Sequence, residues 1–231
     1  MNLWIVASVD AELSRLKAEL DVGPARALGR CTFHMGHIRG VPIYLGVLGV
    51  GVVSAALALG GLMAWKRADQ VIMIGSAGAL PGSGLEVGDV AVASSEVLAE
   101  IGLCTGPGLG DTVPLNLAGL HQEIPLDEPL SRSLIEAAQG SSRVVKNRFL
   151  TVVGGSADQT QAKARADRFQ AVVENMEGYA LAQAGQWFGV PVGTVRAVSN
   201  MAGDRNKSAW RLDPANELAQ AIVLEYLRKT F

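Results

Sequence analysis

Two neighbouring stretches decide the reading of this chain. One is Ala171-Val172-Val173-Glu174-Asn175-Met176-Glu177-Gly178. The other is the apolar run 190–198 followed by Ser199-Asn200-Met201-Ala202-Gly203-Asp204-Arg205-Asn206-Lys207-Ser208-Ala209-Trp210. In each, a short β-rich apolar run opens abruptly into polar residues. Such a run reads as a strand buried on both faces. Its polar sequel then lies at the strand end, where open α/β sheets hold their ligands.

Outward from these stretches the same alternation repeats. Residues 3–9 read as a strand, and Asp10-Ala11-Glu12 opens a helical pattern through Leu13, Leu16 and Leu20. Residues 41–48 read as a strand, Gly49-Val50-Gly51 as a turn and 52–65 as an Ala- and Leu-rich helix. A short strand at 71–74 is expected to end in Gly75-Ser76-Ala77-Gly78, and 87–93 is a further strand. Residues 130–138 read as a helix, and 149–153 as a strand ended by Gly154-Gly155. Ser156 and Gln159 have capping-box spacing for a helix over 157–169. Residues 176–188 are helical and 190–198 form a strand. Asp213 and Pro214 are expected to cap a last helix whose Leu218, Ile222 and Tyr226 share one face. Residues 100–128 are rich in Gly and Pro and read as a long loop or lid, often a functional feature in a compact fold. Strands alternating with helices predict an α/β sandwich with a largely parallel sheet. With no repeat, low-complexity tract or linker, residues 1–231 are expected to form one domain.

The bulk composition limits the partners. The chain has 231 residues, 49% of them hydrophobic, enough for a sizeable core, and a formal charge of −2 from 20 basic and 22 acidic residues. No basic block stands out, so no nucleic-acid surface is expected. Small neutral or anionic metabolites remain open as ligands. Cys31 and Cys104 are not in a CxxC pair and read as two reduced thiols, with a single disulfide as the alternative. His34, His37 and His121 lack metal-ligand spacing with them, so no metal is expected. The N-terminus has no basic residue before its apolar run and does not read as a signal peptide. Residues 40–65 carry no charge, but Pro42, Gly46, Gly49, Gly51, Gly60 and Gly61 punctuate them. A strand, a loop and a buried helix fit better than a membrane span. The expectation is a cytoplasmic protein.

The ordered set of motifs resembles the nucleoside phosphorylase and nucleosidase superfamily. The matching pieces are residues 7–13 with Glu12, Gly49-Val50-Gly51-Val52-Val53-Ser54-Ala55-Ala56, Gly75-Ser76-Ala77-Gly78, Val87-Gly88-Asp89-Val90, Met176-Glu177 and Val195-Arg196-Ala197-Val198-Ser199-Asn200. Each is weak alone; together they span most of the chain in order. Within the superfamily, residues 174–178 and 199–210 are most similar to the futalosine hydrolases, which split futalosine into hypoxanthine and dehypoxanthine futalosine for menaquinone synthesis. The resemblance implies a three-layer α/β/α sandwich with a central mixed sheet. It also implies a small-molecule nucleoside substrate, no cofactor and a homo-oligomer.

Cleavage of a purine riboside passes through an oxocarbenium-like state. It needs an activated water, a grip on the ribose and stabilisation of the departing base. Glu12 stands where the related nucleosidases place their general base; read alone, it is an acidic first-turn residue favouring the helix dipole. Glu177 is expected to hold the ribose hydroxyls and Met176 to lie against the sugar. Ser76, with the amides of Ala77 and Gly78, is expected to hold water or sugar, and Gly155 to line the substrate site. Asn200 discriminates. Relatives that cleave 6-aminopurines carry Asp at this position, which can protonate N7. A 6-oxopurine offers two acceptors, N7 and O6, and a carboxamide donates to them where a carboxylate would repel both. Asn200 therefore predicts hypoxanthine over adenine. Phosphorylases of the superfamily hold phosphate with arginines, and one such position is Met73 here, which predicts water as the nucleophile. Arg205, Lys207 and Trp210 are expected to bind the aryl carboxylate of the substrate by charge and stacking, with loop 102–125 covering the same pocket from this or a neighbouring subunit.

Four rivals remain: a methylthioadenosine/S-adenosylhomocysteine nucleosidase, a purine nucleoside phosphorylase, a non-catalytic nucleoside-binding protein, which would have no need of Glu12, and a dinucleotide-binding module. The last rests on Gly49-Val50-Gly51-Val52-Val53-Ser54, which echoes GxGxxG. Asp69, its candidate ribose ligand, precedes the next strand and so reaches a ribose poorly.

Overall fold

The computed structural model describes residues 1–104, 112–113, 115 and 117–231. Strand β1 (Leu3–Ala7) shows how the core is divided. Successive side chains of a strand point to opposite faces. Trp4 and Val6 enter one apolar cluster, and Leu3, Ile5 and Ala7 enter another. With both faces covered, the strand reads as an unbroken apolar run. A 3-10 turn, Asp10–Leu13, leads into α1 (Ser14–Glu19). Then come β2 (Arg26–Leu28), β3 (Cys31–Ile38), β4 (Val41–Val47), α2 (Val52–Trp65), β5 (Gln70–Ala79) and β6 (Val90–Leu98). The next segment holds β7 (Leu103–Cys104), β8 (Thr112–Val113) and β9 (Glu123–Pro125). The chain finishes with α3 (Glu128–Ala137), β10 (Val144–Thr151), α4 (Gln159–Phe169), β11 (Val173–Asn175), α5 (Gly178–Phe188), β12 (Val192–Met201) and α6 (Leu212–Thr230).

The main sheet runs β11-β10-β6-β12-β5-β1-β4-β3-β2, and β9 joins at β6. Strand β11 also pairs with β5, which closes β5, β12, β6, β10 and β11 into a ring. Helices α2 and α5 cover one face of the sheet through Leu59, Leu62, Leu181 and Ala184. Helices α1, α3 and α6 cover the other through Leu16, Leu134, Ile222 and Leu227. A third cluster under α4 gathers Leu150, Val152, Ala166 and Phe169. The expected three-layer α/β/α sandwich with a mixed sheet is thus the observed architecture. Burying each such Leu or Ile contributes roughly 1.5–3 kcal/mol.

Several local expectations change. The sheet is not largely parallel: β5 runs parallel to β1 and β12 but antiparallel to β11, and β12 is antiparallel to β6. Strands β2 and β3 escaped the sequence reading because residues 26–38 interleave Arg, His, Gly and Thr with few apolar residues. Strand β5 does not stop at Gly75; it runs on to Ala79. Helix α4 begins at Gln159, capped by Asp158, whose side chain accepts from Gln161 N–H. Ser156 is engaged elsewhere, so the capping box was misplaced by two residues. Asp213 and Pro214 sit inside the first turn of α6, after Arg211 at the cap. The charge-free stretch 40–65 forms β4 and α2, and among the described residues no helix is long and apolar enough to cross a membrane. Cys31 is free and buried, and burial pushes its thiol up to about 11.

Candidate active site

One cavity of about 270 Å³ opens where β1, β5, β11 and β12 end. Each strand delivers its residues by a local device. After β1 the chain turns, and Glu12 folds back onto it: Ser8 N–H and Val9 N–H donate to Glu12 Oε2 at 2.9 and 3.2 Å. Ser76 N–H donates to Oε1 at 3.2 Å. Glu12 is 5% exposed, its carboxylate held by three backbone donors at the cavity wall. In β5, Gly75 has φ +151°, and a side chain there would collide with Arg196 and Glu12. Its bareness lets these two groups approach the strand.

In β12 the register against β5 shifts between Val198 and Asn200. A bulge of this kind re-aims a side chain. It turns Asn200 into the cavity opposite Gly78, where an added methyl would come within 3.3 Å of Asn200 Nδ2. The amide is fixed on both ends. Ser199 Oγ donates to Asn200 Oδ1 at 2.8 Å, and Asn200 Nδ2 donates to Met201 O at 3.0 Å. One N–H of the amide stays available to a ligand.

At the end of β11, Glu177 is buried. Gly51 N–H donates to its Oε1 at 2.8 Å, and Arg196 Nη2 lies 3.5 Å from Oε2. Arg196 also donates to Ser76 O at 3.4 Å and meets Met73 Sδ at 3.2 Å. Glu96, on β6, is fully buried behind Glu177; desolvation raises its carboxyl to about 7, against hydrogen bonds from Asn175 and Thr151 and the charge of Arg196.

The opposite wall is the 153–156 loop. Glu174 accepts from Ser156 N–H at 2.8 Å and from Arg165 Nη1 at 2.9 Å, and Arg165 also bonds Gly154 O and Glu100. The rim is the 202–210 turn. The Arg205 guanidinium lies 5.8 Å from the Trp210 ring centroid, and Trp210 Nε1–H donates to Asp204 O at 3.1 Å.

Ten of the eleven residues assigned to the substrate site from the sequence line this one cavity: Glu12, Ser76, Ala77, Gly78, Gly155, Met176, Glu177, Asn200, Arg205 and Trp210. Lys207 does not line it and sits in a short 3-10 turn. Part of loop 102–125 lies outside the described residues, and none of its described residues lines the cavity. The sequence reading assigned no part to Arg196, Ser199 or the Glu174–Arg165 pair. Arg196 had a signal: an arginine inside an otherwise apolar strand is buried and needs a partner. The dinucleotide reading loses its acidic residue, because Asp69 Oδ2 accepts from Asn2 N–H at the far end of β1.

The family description Phosphorylase superfamily matches residues 3–228. The chain belongs to the phosphorylase superfamily, among its nucleosidases. It is 35% identical to futalosine hydrolase of Thermus thermophilus over 182 residues, 75% of this chain and 76% of that one. It is 28% identical to 5'-methylthioadenosine/S-adenosylhomocysteine nucleosidase of Psychromonas ingrahamii, over 98% of both chains. In structure it matches that nucleosidase from Neisseria meningitidis, solved with methylthio-immucillin-A, with a TM-score of 0.87 and 23% identity over 99% of both chains. The last likeness speaks for the superfamily fold.

Proposed function

We propose that this superfamily member hydrolyses the N-ribosidic bond of futalosine, releasing hypoxanthine and dehypoxanthine futalosine, a step of menaquinone synthesis in the cytoplasm. The observation that carries the reading is Asn200. A neutral amide, with its oxygen already taken by Ser199 and an N–H to spare, faces the same cavity as the Glu12 carboxylate. A donor at that point suits the N7 and O6 acceptors of a 6-oxopurine. A buried site built on that pattern rejects the wrong base by leaving polar groups unpaired.

In this reading Glu12 takes the proton of the attacking water. Glu177, oriented by Gly51 N–H and Arg196, binds the ribose hydroxyls and favours the positive charge developing on the sugar. Met176, Ser76, Ala77, Gly78 and Gly155 shape the space around sugar and base. Arg205 stacked on Trp210 at the rim offers a cation and a ring to an aryl carboxylate. Met73 stands where a phosphate-binding arginine would, and Arg196 beside it is engaged by Glu177, which favours water over phosphate. A homo-oligomer fits the exposed apolar side of α2: Leu57 is 75% and Val53 70% exposed, close in sequence to Val50 at the cavity edge. Light scattering tests this, and a monomer at working concentration would remove it.

A second reading, a methylthioadenosine/S-adenosylhomocysteine nucleosidase, is favoured by relatives of that name that match almost the whole chain. Incubation with futalosine, inosine and methylthioadenosine, with and without phosphate, followed by chromatography of the released base, separates the readings. The proposal expects hypoxanthine from futalosine without phosphate. Adenine from methylthioadenosine as the dominant product would replace it with the second reading.

A further inference from the structure

Glu96 takes no part in the chemistry above, yet it sits at the root of the site. Its Oε2 accepts from Thr151 Oγ1 at 2.9 Å and from Asn175 Nδ2 at 3.1 Å. Both partners also accept from the start of α5, Asn175 through its amide oxygen and Thr151 through the same hydroxyl. Asn175 Oδ1 accepts from Glu177 N–H at 3.0 Å and Gly178 N–H at 2.7 Å, and Thr151 Oγ1 accepts from Tyr179 N–H at 2.8 Å. The first N–H groups of a helix have no partner inside it. Here they are satisfied by side chains from β10 and β11. Glu177, at the cap position, makes no side-chain cap bond, so its carboxylate stays with Gly51 and Arg196.

An amide can present its oxygen or its nitrogen. Turned over, Asn175 would set its NH₂ against the N–H groups of Glu177 and Gly178. The Glu96 oxygen that receives Nδ2 holds the amide the right way round. The sequence makes room for this carboxylate: a methyl on Gly178 would collide with Glu96, so the first helical residue is a glycine.

We propose that Glu96 is a positioning residue for Glu177, acting through Asn175 and Thr151 to fix the start of α5 and hence the carboxylate that meets the ribose. The inference rests on the assignment of Glu177 to the ribose. It predicts a split between sugar-dependent and base-dependent functions, which a general loss of structure would not give.

The test compares Glu96→Ala, Glu96→Gln and Glu177→Gln. It reads kcat/KM on whichever of futalosine, inosine or methylthioadenosine the enzyme turns over, together with Kd for the free base released. Glu96→Ala should lose about a hundredfold in kcat/KM, with base affinity within about threefold of the wild type. Glu96→Gln should stay within about tenfold, because its carbonyl oxygen accepts both hydrogen bonds. Wild-type turnover in Glu96→Ala, or equal losses in turnover and base affinity, would overturn the inference. Should Glu96→Ala fail to fold, Glu96→Gln decides alone: a hundredfold loss in that folded variant would overturn it, and near-normal turnover supports it. Glu177→Gln separates the two levels. If it turns over normally, the ribose assignment falls and this inference with it. If it is inactive while Glu96→Ala is not, the inference alone falls.

Discussion

The two ends of the sheet are built from different materials. Around β1, β3 and β4 the filling is aromatic: Trp4 stacks on Tyr44 at 4.6 Å between centroids, and Phe33 lies 4.8 Å from Trp65. Inside the closed ring and at its mouth, Glu12, Glu96, Glu177, Arg196 and Asn175 are buried. Apolar contacts are non-directional and tolerate small errors of position. Buried charges are held by specific partners or they are costly. The first region stabilises without needing a geometry; the second needs its geometry and contributes little net stability.

That contrast can be broken most directly at Glu12. Glu12→Gln keeps the shape but cannot take a proton. Turnover should fall about 10²–10⁴-fold, the usual worth of a positioned general base. Substrate affinity should stay within about tenfold, as read by single-turnover and binding measurements. Undiminished turnover would take Glu12 out of the chemistry. The mirror experiment is Trp4→Ala, which should cost about 3–5 kcal/mol in denaturant unfolding while the protein still folded keeps its KM. A raised KM would show that the aromatic end also shapes the site.

The next effect lies inside the ring. Burial raises the Glu96 carboxyl to about 7, with Arg196 opposing and Glu177 reinforcing the shift. The folded protein therefore binds this proton more tightly than the unfolded chain does. The stabilisation is full below the unfolded value of about 4.5 and is lost as pH rises through about 7. By linkage this one residue should remove roughly 3 kcal/mol of stability across that window. Melting curves of wild type and Glu96→Gln should differ in slope between those pH values, the variant lacking this fall. Parallel curves would mean that Glu96 is not protonated in the folded state.

The same contrast governs what the sequence could say. Buried strands announce themselves as apolar runs, and the polar residues that follow each run, Glu177 just past β11 and Asn200 near the end of β12, mark the site at once. Strands β2 and β3 pass unnoticed because polar residues interrupt their apolar ones and they sit at the edge of the sheet, β3 pairing with β4 and β2 with β3. Asp158 rather than Ser156 caps α4, since Ser156 Oγ is drawn to Glu174 by the fold. Arg196 was visible as a charge in an apolar strand and Glu96 lay beyond the expected strand at 87–93, but their partners are 19 and 79 residues away along the chain at Glu177 and Asn175. Long-range partners are what a linear pattern cannot supply.

The smallest expected change is also the one closest to substrate choice. Asn200→Asp leaves the backbone bulge and the Ser199 contact in place. One carboxylate oxygen can still accept from Ser199 Oγ, but the other then faces Met201 O, where the native amide donates at 3.0 Å. Two acceptors this close repel, which favours the protonated acid. A protonated Asp has a single proton, which it spends either on Met201 O or on the ligand, whereas the amide has one for each. The variant should therefore lose ground on bases presenting two acceptors and gain on those presenting a 6-amino donor. The ratio of kcat/KM for 6-oxo over 6-aminopurine nucleosides should drop by at least about tenfold, near 1.4 kcal/mol. Matched inosine and adenosine derivatives measure it, and an unchanged ratio would move base selection away from β12, to the loop at 153–156.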